Sequence, residues 1–286
     1  MKALLKTELH KALKNKYFFI TLIIASVIAV LGAINRINEY QSVLELVNAD
    51  KAAHGGVSWR NPYLPADTLF TYWIGGECFS LYFSLYFLLI PLFAAFPYGW
   101  SYFMEYKKGY VKNVITRTSK KNYFLSKYTA VFIAGGLVVA LPLLLNFLTV
   151  SCFVPARTPG VLYSAYTYVV FSQMWSALFY THPFVYVGLY LLLNFAFGGL
   201  IACLCLAISF VIKNRVAVLV VPLFLMLCLN FANTYSRSWE LSPINFLHPG
   251  VVVNPANGWI VLLEGACLFA VSFGVTMWRG QRDDVF

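Results

Sequence analysis

Six long apolar stretches run along the chain, and the segments between them hold most of its charge. We place candidate membrane spans at residues 17–35, 78–103, 128–151, 183–212, 216–233 and 259–277. A helix needs about 20 apolar residues to cross the hydrocarbon layer of a membrane, and all six stretches roughly meet that length. The pattern predicts an all-α membrane protein with six transmembrane helices and one transmembrane domain, residues 1–286.

The segments between the spans also carry predictions. Residues 36–77 form a large outer loop with a Gly-Gly pair and two prolines, and residues 100–127 form an inner loop. Residues 161–180 are uncharged, but they are rich in Tyr, Ser, Thr and Gln, and a seventh crossing there would move Lys213 and Arg215 to the outer side. We therefore expect them to lie on or dip into the outer face of the membrane.

The first 16 residues predict a basic amphipathic helix. Leu5, Leu9 and Leu13 recur at helical spacing, and five lysines surround them. Such a helix lies in the membrane interface with its apolar side toward lipid and its lysines toward anionic headgroups. The alternative is the basic region of a cleaved signal peptide. The regular spacing, and the span-length stretch that follows, favour the interfacial helix.

Composition and charge support a membrane protein. Apolar residues make up 60% of the chain and charged residues 11%, against about 25% charged in a typical soluble domain. The net charge of +10 would also suit a nucleic-acid partner. With both termini in the cytoplasm, however, sixteen of the 21 Lys and Arg residues lie on the inner side, as the positive-inside rule requires. We predict a multi-pass protein of a bacterial cytoplasmic membrane that contacts lipids and no nucleic acid.

The inner loop 100–127 is the most informative stretch, because it holds seven of the 21 basic residues. Glu105 is followed four residues later by Gly109, then by the polar and basic run 116–119, and Lys127 enters the third span. This series resembles the type-2 ABC exporter permeases. The resemblance extends to the N-terminal helix, the six-span layout and the proline-rich segment before the last span. The chain departs from many relatives in lacking a proline beside residues 114–115 and in its long first outer loop.

The resemblance implies a transmembrane subunit that has no cofactor of its own. It would pair with a second permease copy or a homologous permease and with cytoplasmic ABC ATPase subunits, which bind ATP and Mg²⁺. A cytoplasmic coupling helix, about residues 105–119, would dock on the ATPase, and the substrate would be hydrophobic or amphipathic: a peptide antibiotic, a drug or a lipid-like compound. The residues implied in ATPase coupling are Glu105, Gly109, Arg117, Ser119, Lys120 and Lys127.

The loop residues leave alternatives open. Glu105 has either a base of the N-terminal helix or one of the ATPase as its partner, and Gly109 permits a turn or a close backbone approach. The bases alternatively lie among lipid headgroups and only set the topology.

Inside the predicted spans, Glu264 is the single deep carboxylate. Intramembrane acids are costly and often functional, so we consider a substrate-pathway contact. The alternative is a hydrogen bond to Asn146 or Asn230, which are themselves either pathway residues or helix-packing residues.

No catalytic motif and no metal-binding spacing is present, and the four histidines are scattered. We therefore predict no catalytic residue and no metal site. Cys78 and Cys152 fall near the outer ends of their spans, so a disulfide between them is one possibility. Two other functions remain as alternatives: a membrane-embedded lipid-modifying enzyme that uses Glu264 or His248, and a non-transporting immunity or sensor subunit.

Overall fold

The structure is a computed structural model, and it describes residues 2–56, 68–77, 80–160, 169, 173–212, 214–233, 235, 240–250 and 256–282. Every regular element in these residues is a helix, which confirms the all-α prediction. In chain order, α1 to α12 are Lys2–Leu13, Lys16–Ala53, Leu69–Tyr72, Leu81–Ala95, Ser101–Lys107, Tyr110–Ile115, Lys120–Ser151, Ser176–Thr181, Pro183–Ile208, Arg215–Asn233, Pro243–Phe246 and Gly258–Arg282.

Five of the described helices are long and apolar enough to cross a membrane: α2, α7, α9, α10 and α12. They are compatible with a multi-pass membrane protein. The helices α9, α10 and α12 begin within a residue of the predicted spans at 183, 216 and 259. The second predicted span, residues 78–103, contains only α4, which has 15 residues. The six-span count is therefore not confirmed.

The predicted second span, residues 78–103, is wrong in its extent. Ser80 caps the start of α4, because its side chain accepts a hydrogen bond from the Phe83 amide at 3.0 Å. The helix ends at Ala95 and gives way to turns over residues 96–100. Pro97 lies in these turns and has no N–H to continue the helical ladder. The apolar stretch is thus longer than the helix it contains.

The predicted large outer loop, residues 36–77, is also wrong over its first half. Helix α2 continues without a break to Ala53 and has 38 residues, which is about 57 Å at helical rise. Residues 36–53 contain no proline, and Arg36 forms an ion pair with Glu39 one turn later. The end of the apolar stretch was therefore not the end of the helix.

Helix α7 is the central element, in contact with α1, α2, α4, α9 and α12. It begins at Lys120 rather than at residue 128, and Ser119 caps it by accepting from the Asn122 amide. It approaches α9 so closely that a Cβ atom on Gly135 would lie 2.4 Å from the Cβ of Ala202. The backbones of α7 and α9 therefore lie in close contact where the two helices cross.

One end of the bundle gathers α1, the start of α7 and the end of α12. Lys120 Nζ donates to the carbonyl of Gln281 at 3.3 Å, which joins the last two, and α1 packs on α7. We call this the basal end. The opposite, distal end holds Arg36, whose Nε lies 3.3 Å from Glu77 Oε2.

Two sequence predictions fall largely outside the described residues. Of the stretch 161–180, residues 161–168 and 170–172 lie outside them, and α8 covers only Ser176–Thr181. Cys78 also lies outside them, and Cys152 is a free, exposed thiol.

Candidate functional site

The N-terminal helix turns one of its faces toward the protein. Glu8 and Ala12 lie one turn apart, and both are fully buried. Leu4, Leu9 and Leu13 lie partly buried against the hydrophobic core. The expectation that the apolar side of this helix faces lipid is therefore wrong for these residues. Because packing on α7 buries Glu8, this carboxylate needs partners inside the protein.

Lys127 supplies one of these partners from α7. Its side chain is completely buried, and its Nζ lies 3.1 Å from Glu8 Oε2 and 2.8 Å from Glu105 Oε2. It also donates to the hydroxyl of Tyr98 at 3.0 Å. All three protons of the ammonium group thus have an acceptor. A lysine is tolerated at this buried position because two carboxylates compensate it.

Tyrosine hydroxyls complete the contacts of the carboxylates. Tyr98 donates to Glu8 Oε2 at 3.0 Å, and Tyr123 donates to Glu105 Oε2 at 2.7 Å. Burial raises the pKa of Tyr98 far above its usual range, and the nearby carboxylates of Glu105 and Glu8 raise it further. This hydroxyl therefore remains a donor.

Lys11 closes the cluster on its exposed side. Its Nζ lies 3.1 Å from Glu8 Oε1 and 3.7 Å from Glu105 Oε1. The ammonium group also sits over the ring of Tyr110, 3.7 Å from its centroid, which is a cation–π contact. Glu105 thus contacts a base of the N-terminal helix, one of the two arrangements considered from the sequence. We call Glu8, Lys11, Tyr98, Glu105, Tyr123 and Lys127 the basal charge cluster; its four charges cancel.

The pKa shifts in α1 agree with this pairing. Burial alone would raise the pKa of Glu8, but Lys127 and Lys11 outweigh it and hold that pKa below its ordinary value. Burial alone would lower the pKa of Lys11, but its contacts with Tyr110, Glu8 and Glu105 raise it above the ordinary value. Both shifts favour the charged forms of Glu8 and Lys11 at neutral pH.

The predicted coupling helix, residues 105–119, is two short helices rather than one. Helix α5 ends at Lys107, and α6 runs from Tyr110 to Ile115. Between them Gly109 has a φ of 72°, a left-handed conformation that glycine adopts without steric cost. The prediction that Gly109 permits a turn is confirmed. The single rigid helix is wrong, because this left-handed residue interrupts it.

The predicted coupling residues lie in two different environments. Lys127 and Glu105 belong to the basal charge cluster and hold the chain together. Arg117 and Ser119 are exposed on the basal surface, and Lys120 is half-buried against the end of α12. The residues available to a partner are therefore the exposed bases of the α5–α6 segment and its surroundings: Lys107, Lys108, Lys112, Arg117 and Lys121.

No hydrogen bond joins the three predicted substrate-pathway residues to one another in the described part of the chain. Asn146 donates to the carbonyl of Ala29 at 2.7 Å and accepts from the Ile74 amide at 2.8 Å. Asn230 accepts from Asn245 at 3.0 Å. The alternative of a hydrogen bond from Glu264 to either asparagine is therefore wrong, because neither side chain bonds to Glu264 in the described residues. Glu264 is half-buried, and its Oε1 has no hydrogen-bond partner in the described part of the chain.

His248, the other candidate of the enzyme alternative, lies among aromatic rings. Its ring is 4.6 Å from that of Phe83 and 5.0 Å from that of Phe87. Burial lowers the pKa of His248 to about 3, so the imidazole is neutral at physiological pH. Among the described residues, no group of three His, Cys, Asp or Glu side chains has a geometry that suits a metal ion.

Glu8, Lys11, Tyr98 and Tyr123 were not predicted as site residues. One signal was available in the sequence. Glu8 is the only acid among the first 16 residues, and helical spacing puts it on the face of Ala12. A lone acid on an apolar helical face needs a buried base, but residues 8, 105 and 127 meet only through the tertiary fold.

No family model, no curated protein and no solved structure matches this chain.

Proposed function

We propose that this chain is the membrane subunit of an ATP-driven exporter in the cytoplasmic membrane. In this proposal the basal end faces the cytoplasm. Separate ATPase subunits bind ATP and Mg²⁺ there, and a second permease completes the transport pathway. The substrate is hydrophobic or amphipathic. The proposal rests first on the resemblance of the segment from Glu105 to Lys127 to the type-2 exporter permeases.

The observation that carries the proposal is the mechanical connection of the α5–α6 segment. Glu105 in α5 forms ion pairs with Lys11 in α1 and with Lys127 in α7. A displacement of this segment must therefore move both helices or separate buried charges. Separating such charges is costly in a low-dielectric interior, so rigid-body movement is favoured. Helix α7 in turn contacts α2, α9 and α12, through which the displacement would spread.

The surface of the segment suits a soluble partner. A basic surface lies beside the cluster and is formed by the exposed lysines of α5 and α6 and by Arg117. The ion pairs of Glu105 with Lys11 and Lys127 anchor this segment to the bundle. A basic surface of this kind attracts an acidic surface and orients its approach. Anionic headgroups would meet the same surface if the segment only set the topology, so a binding experiment must separate the two cases.

The experiment is purification of the tagged full chain from its native membrane in a mild detergent. We expect an ATPase to co-purify with the wild type and ATP hydrolysis to be measurable in the complex. Arg117→Glu should lower the amount of ATPase bound at least fivefold by reversing a surface charge. The matched control is Lys51→Glu, an equivalent reversal on an exposed residue at the end of α2. This variant should retain the partner.

Gly109 gives a second comparison that does not involve charge. A Cβ atom there would meet nothing within 4 Å, so any effect of a substitution comes from the backbone. Gly109→Val should disrupt the turn and uncouple ATP hydrolysis from transport, whereas Gly109→Asn should be tolerated because asparagine adopts the left-handed conformation more readily. An intact wild-type chain that co-purifies with no nucleotide-hydrolysing protein would refute the proposal.

A further inference from the structure

A cavity of about 730 Å³ lies at the distal end, between the segment before α8, the middle of α9 and the first turns of α12. This volume is within the range of small-molecule sites, about 300–1,000 Å³. The residues that matter for its chemistry are Gln173, Met174, Trp175, Leu193, Val261 and Leu262. The cavity is far from the basal charge cluster, because α12 begins here and ends at the basal end.

Gln173 contributes an unsatisfied acceptor to the wall. Its side chain is only 7% exposed, and its Nε2 donates to the carbonyl of Gly250 at 2.8 Å. The Gly250 carbonyl can accept only from Nε2 of Gln173 and not from Oε1, so this bond fixes the orientation of the Gln173 amide group. Its Oε1 has no partner in the described residues. Buried acceptors without a donor are uncommon in folded proteins, and a bound donor would satisfy this one.

Trp175 has an unusual backbone in the same wall. Its φ of 62° makes it the one non-glycine residue with a positive φ in the described part of the chain. A bulky residue rarely adopts this conformation, and such strained residues cluster at ligand sites. The indole ring is held in place by Tyr190, whose ring centroid is 5.6 Å away in an edge-to-face contact.

The lining determines which ligand fits. None of the described residues that line the cavity is charged, and these residues are apolar or aromatic apart from Gly258 and the amides of Gln173 and Asn257. We propose that the cavity binds a neutral amphiphile, whose apolar body packs on Met174 and Leu262 and whose hydroxyl or amide donates to Gln173 Oε1. The ligand comes either from the membrane, as a neutral lipid, or from water, as a soluble amphiphile. This proposal does not depend on the exporter function.

The test uses photoactivatable diacylglycerol, which has an apolar body and one free hydroxyl group, and its methyl ether, which lacks the donor. The full chain in nanodiscs is labelled with each probe, and the modified peptides are quantified by mass spectrometry. We expect at least fivefold more labelling around residues 173–175 and 256–262 with the hydroxyl probe than with the ether. Gln173→Met should abolish this preference, because it removes the acceptor while keeping the side-chain length.

A pair of neighbouring leucines on α12 gives the matched control. Leu262 lines the cavity, whereas its neighbour Leu263 does not, and both are well exposed at 66% and 72%. Leu262→Trp should fill the cavity and lower labelling at least fivefold, while Leu263→Trp should leave it unchanged. Both sites are on the surface, so neither variant should alter the melting temperature.

Competition then assigns the source of the ligand. Displacement only by unlabelled diacylglycerol in the nanodisc supports a membrane lipid, and displacement by water-soluble monocaprin supports a soluble amphiphile. Equal labelling by the two probes would overturn the proposal. So would an equal response of the Leu262→Trp and Leu263→Trp variants.

Discussion

Replacing Lys127 by methionine tests whether the basal charge cluster holds the fold together. Methionine has a similar length and no charge, so the substitution removes the ammonium group and little volume. Glu8 and Glu105 each lose an ionic contact, at 3.1 Å and 2.8 Å. The cluster then carries a net charge of −1. Glu8 remains fully buried, because α7 still covers it.

The expected magnitude follows from this burial. Removing one partner of a buried ion pair costs about 3–5 kcal/mol, because the remaining charge is left uncompensated. Lys11 stays within 3.1 Å of Glu8 and offsets part of the loss, so we expect the lower end, about 3 kcal/mol. At roughly 2–4 °C per kcal/mol for a chain of about this size, the melting temperature in a mild detergent should fall by about 6–12 °C.

A second substitution separates charge from packing. Glu8→Gln in the Lys127→Met background removes the excess negative charge and should restore more than half of the lost melting temperature. Each single substitution leaves a net charge in the cluster and the double variant leaves none, so a double-mutant cycle measures their coupling. Lys121→Met, on an exposed residue of the same helix, controls for the loss of a lysine and should change stability by less than about 0.5 kcal/mol.

Two outcomes would contradict this reasoning. If Lys127→Met melts within 2 °C of Lys121→Met, a buried ammonium group is not compensating the carboxylates. If the double variant is as unstable as the sum of the two single variants, the two charges do not interact, and lost side-chain contacts alone explain the destabilisation.

Three further predictions concern other parts of the bundle. Burial is the main cause that raises the pKa of Glu77 from 4.5 to about 7. The folded state therefore favours the protonated carboxyl group. The stability that this group contributes is fully present below pH 4.5 and is lost as the pH rises through about 7. A pH series of melting temperatures should show this loss, about 3 kcal/mol, in the wild type relative to Glu77→Gln. Gly135→Ala should destabilise the chain by about 1–3 kcal/mol through overpacking. Gly188→Ala should instead stabilise it by about 1 kcal/mol, because a Cβ atom at Gly188 meets nothing within 4 Å. Chemical denaturation of the two variants measures both effects. Asn146→Leu should cost about 1–3 kcal/mol by leaving the buried amide of Ile74 without its acceptor, and proteolysis kinetics should show the loss.

The sequence predicts the later helices well, because each apolar stretch begins and ends close to where its helix begins and ends. Helix α10 begins at Arg215 and ends at Asn233, where charge and polarity change at the same positions. Helix α12 extends five residues beyond the predicted span to Arg282. In these segments the apolar stretch and the helical hydrogen bonds end within a few residues of each other, so the hydrophobic pattern also locates the helix ends.

The errors occur where the two signals separate. Helix α2 continues through a polar region because nothing between Arg36 and Ala53 interrupts its hydrogen bonds. The opposite occurs after α4, where the apolar sequence continues through Pro97 but the helix does not. Hydrophobicity indicates which residues avoid water, whereas proline, glycine and capping side chains set where a helix begins and ends.

The candidate site was predicted only in part, because its parts are remote in sequence. Glu105, Gly109 and Lys127 were identified from the resemblance of one loop to the type-2 exporter permeases. Glu8 and Lys11, the partners of Lys127 and Glu105, lie about a hundred residues earlier, and no local pattern joins position 8 to position 127. Lys127 also shows how a charge is misread, since a lysine at the start of a span suggests a headgroup contact but here lies inside the protein.

The closed cluster explains why charges, rather than leucines, join α1 to the rest of the basal end. Apolar contacts between helices are non-directional, so the leucines of α1 would tolerate sliding along α7. Glu8 and Lys127 have no second position at which both remain paired, because Tyr98 and Glu105 take up the other bonds of the ammonium group. A neutral set of buried ions therefore fixes the register of three segments at once. The proposed coupling requires that property, since a displacement passes from α5 to α7 only if their junction does not slip.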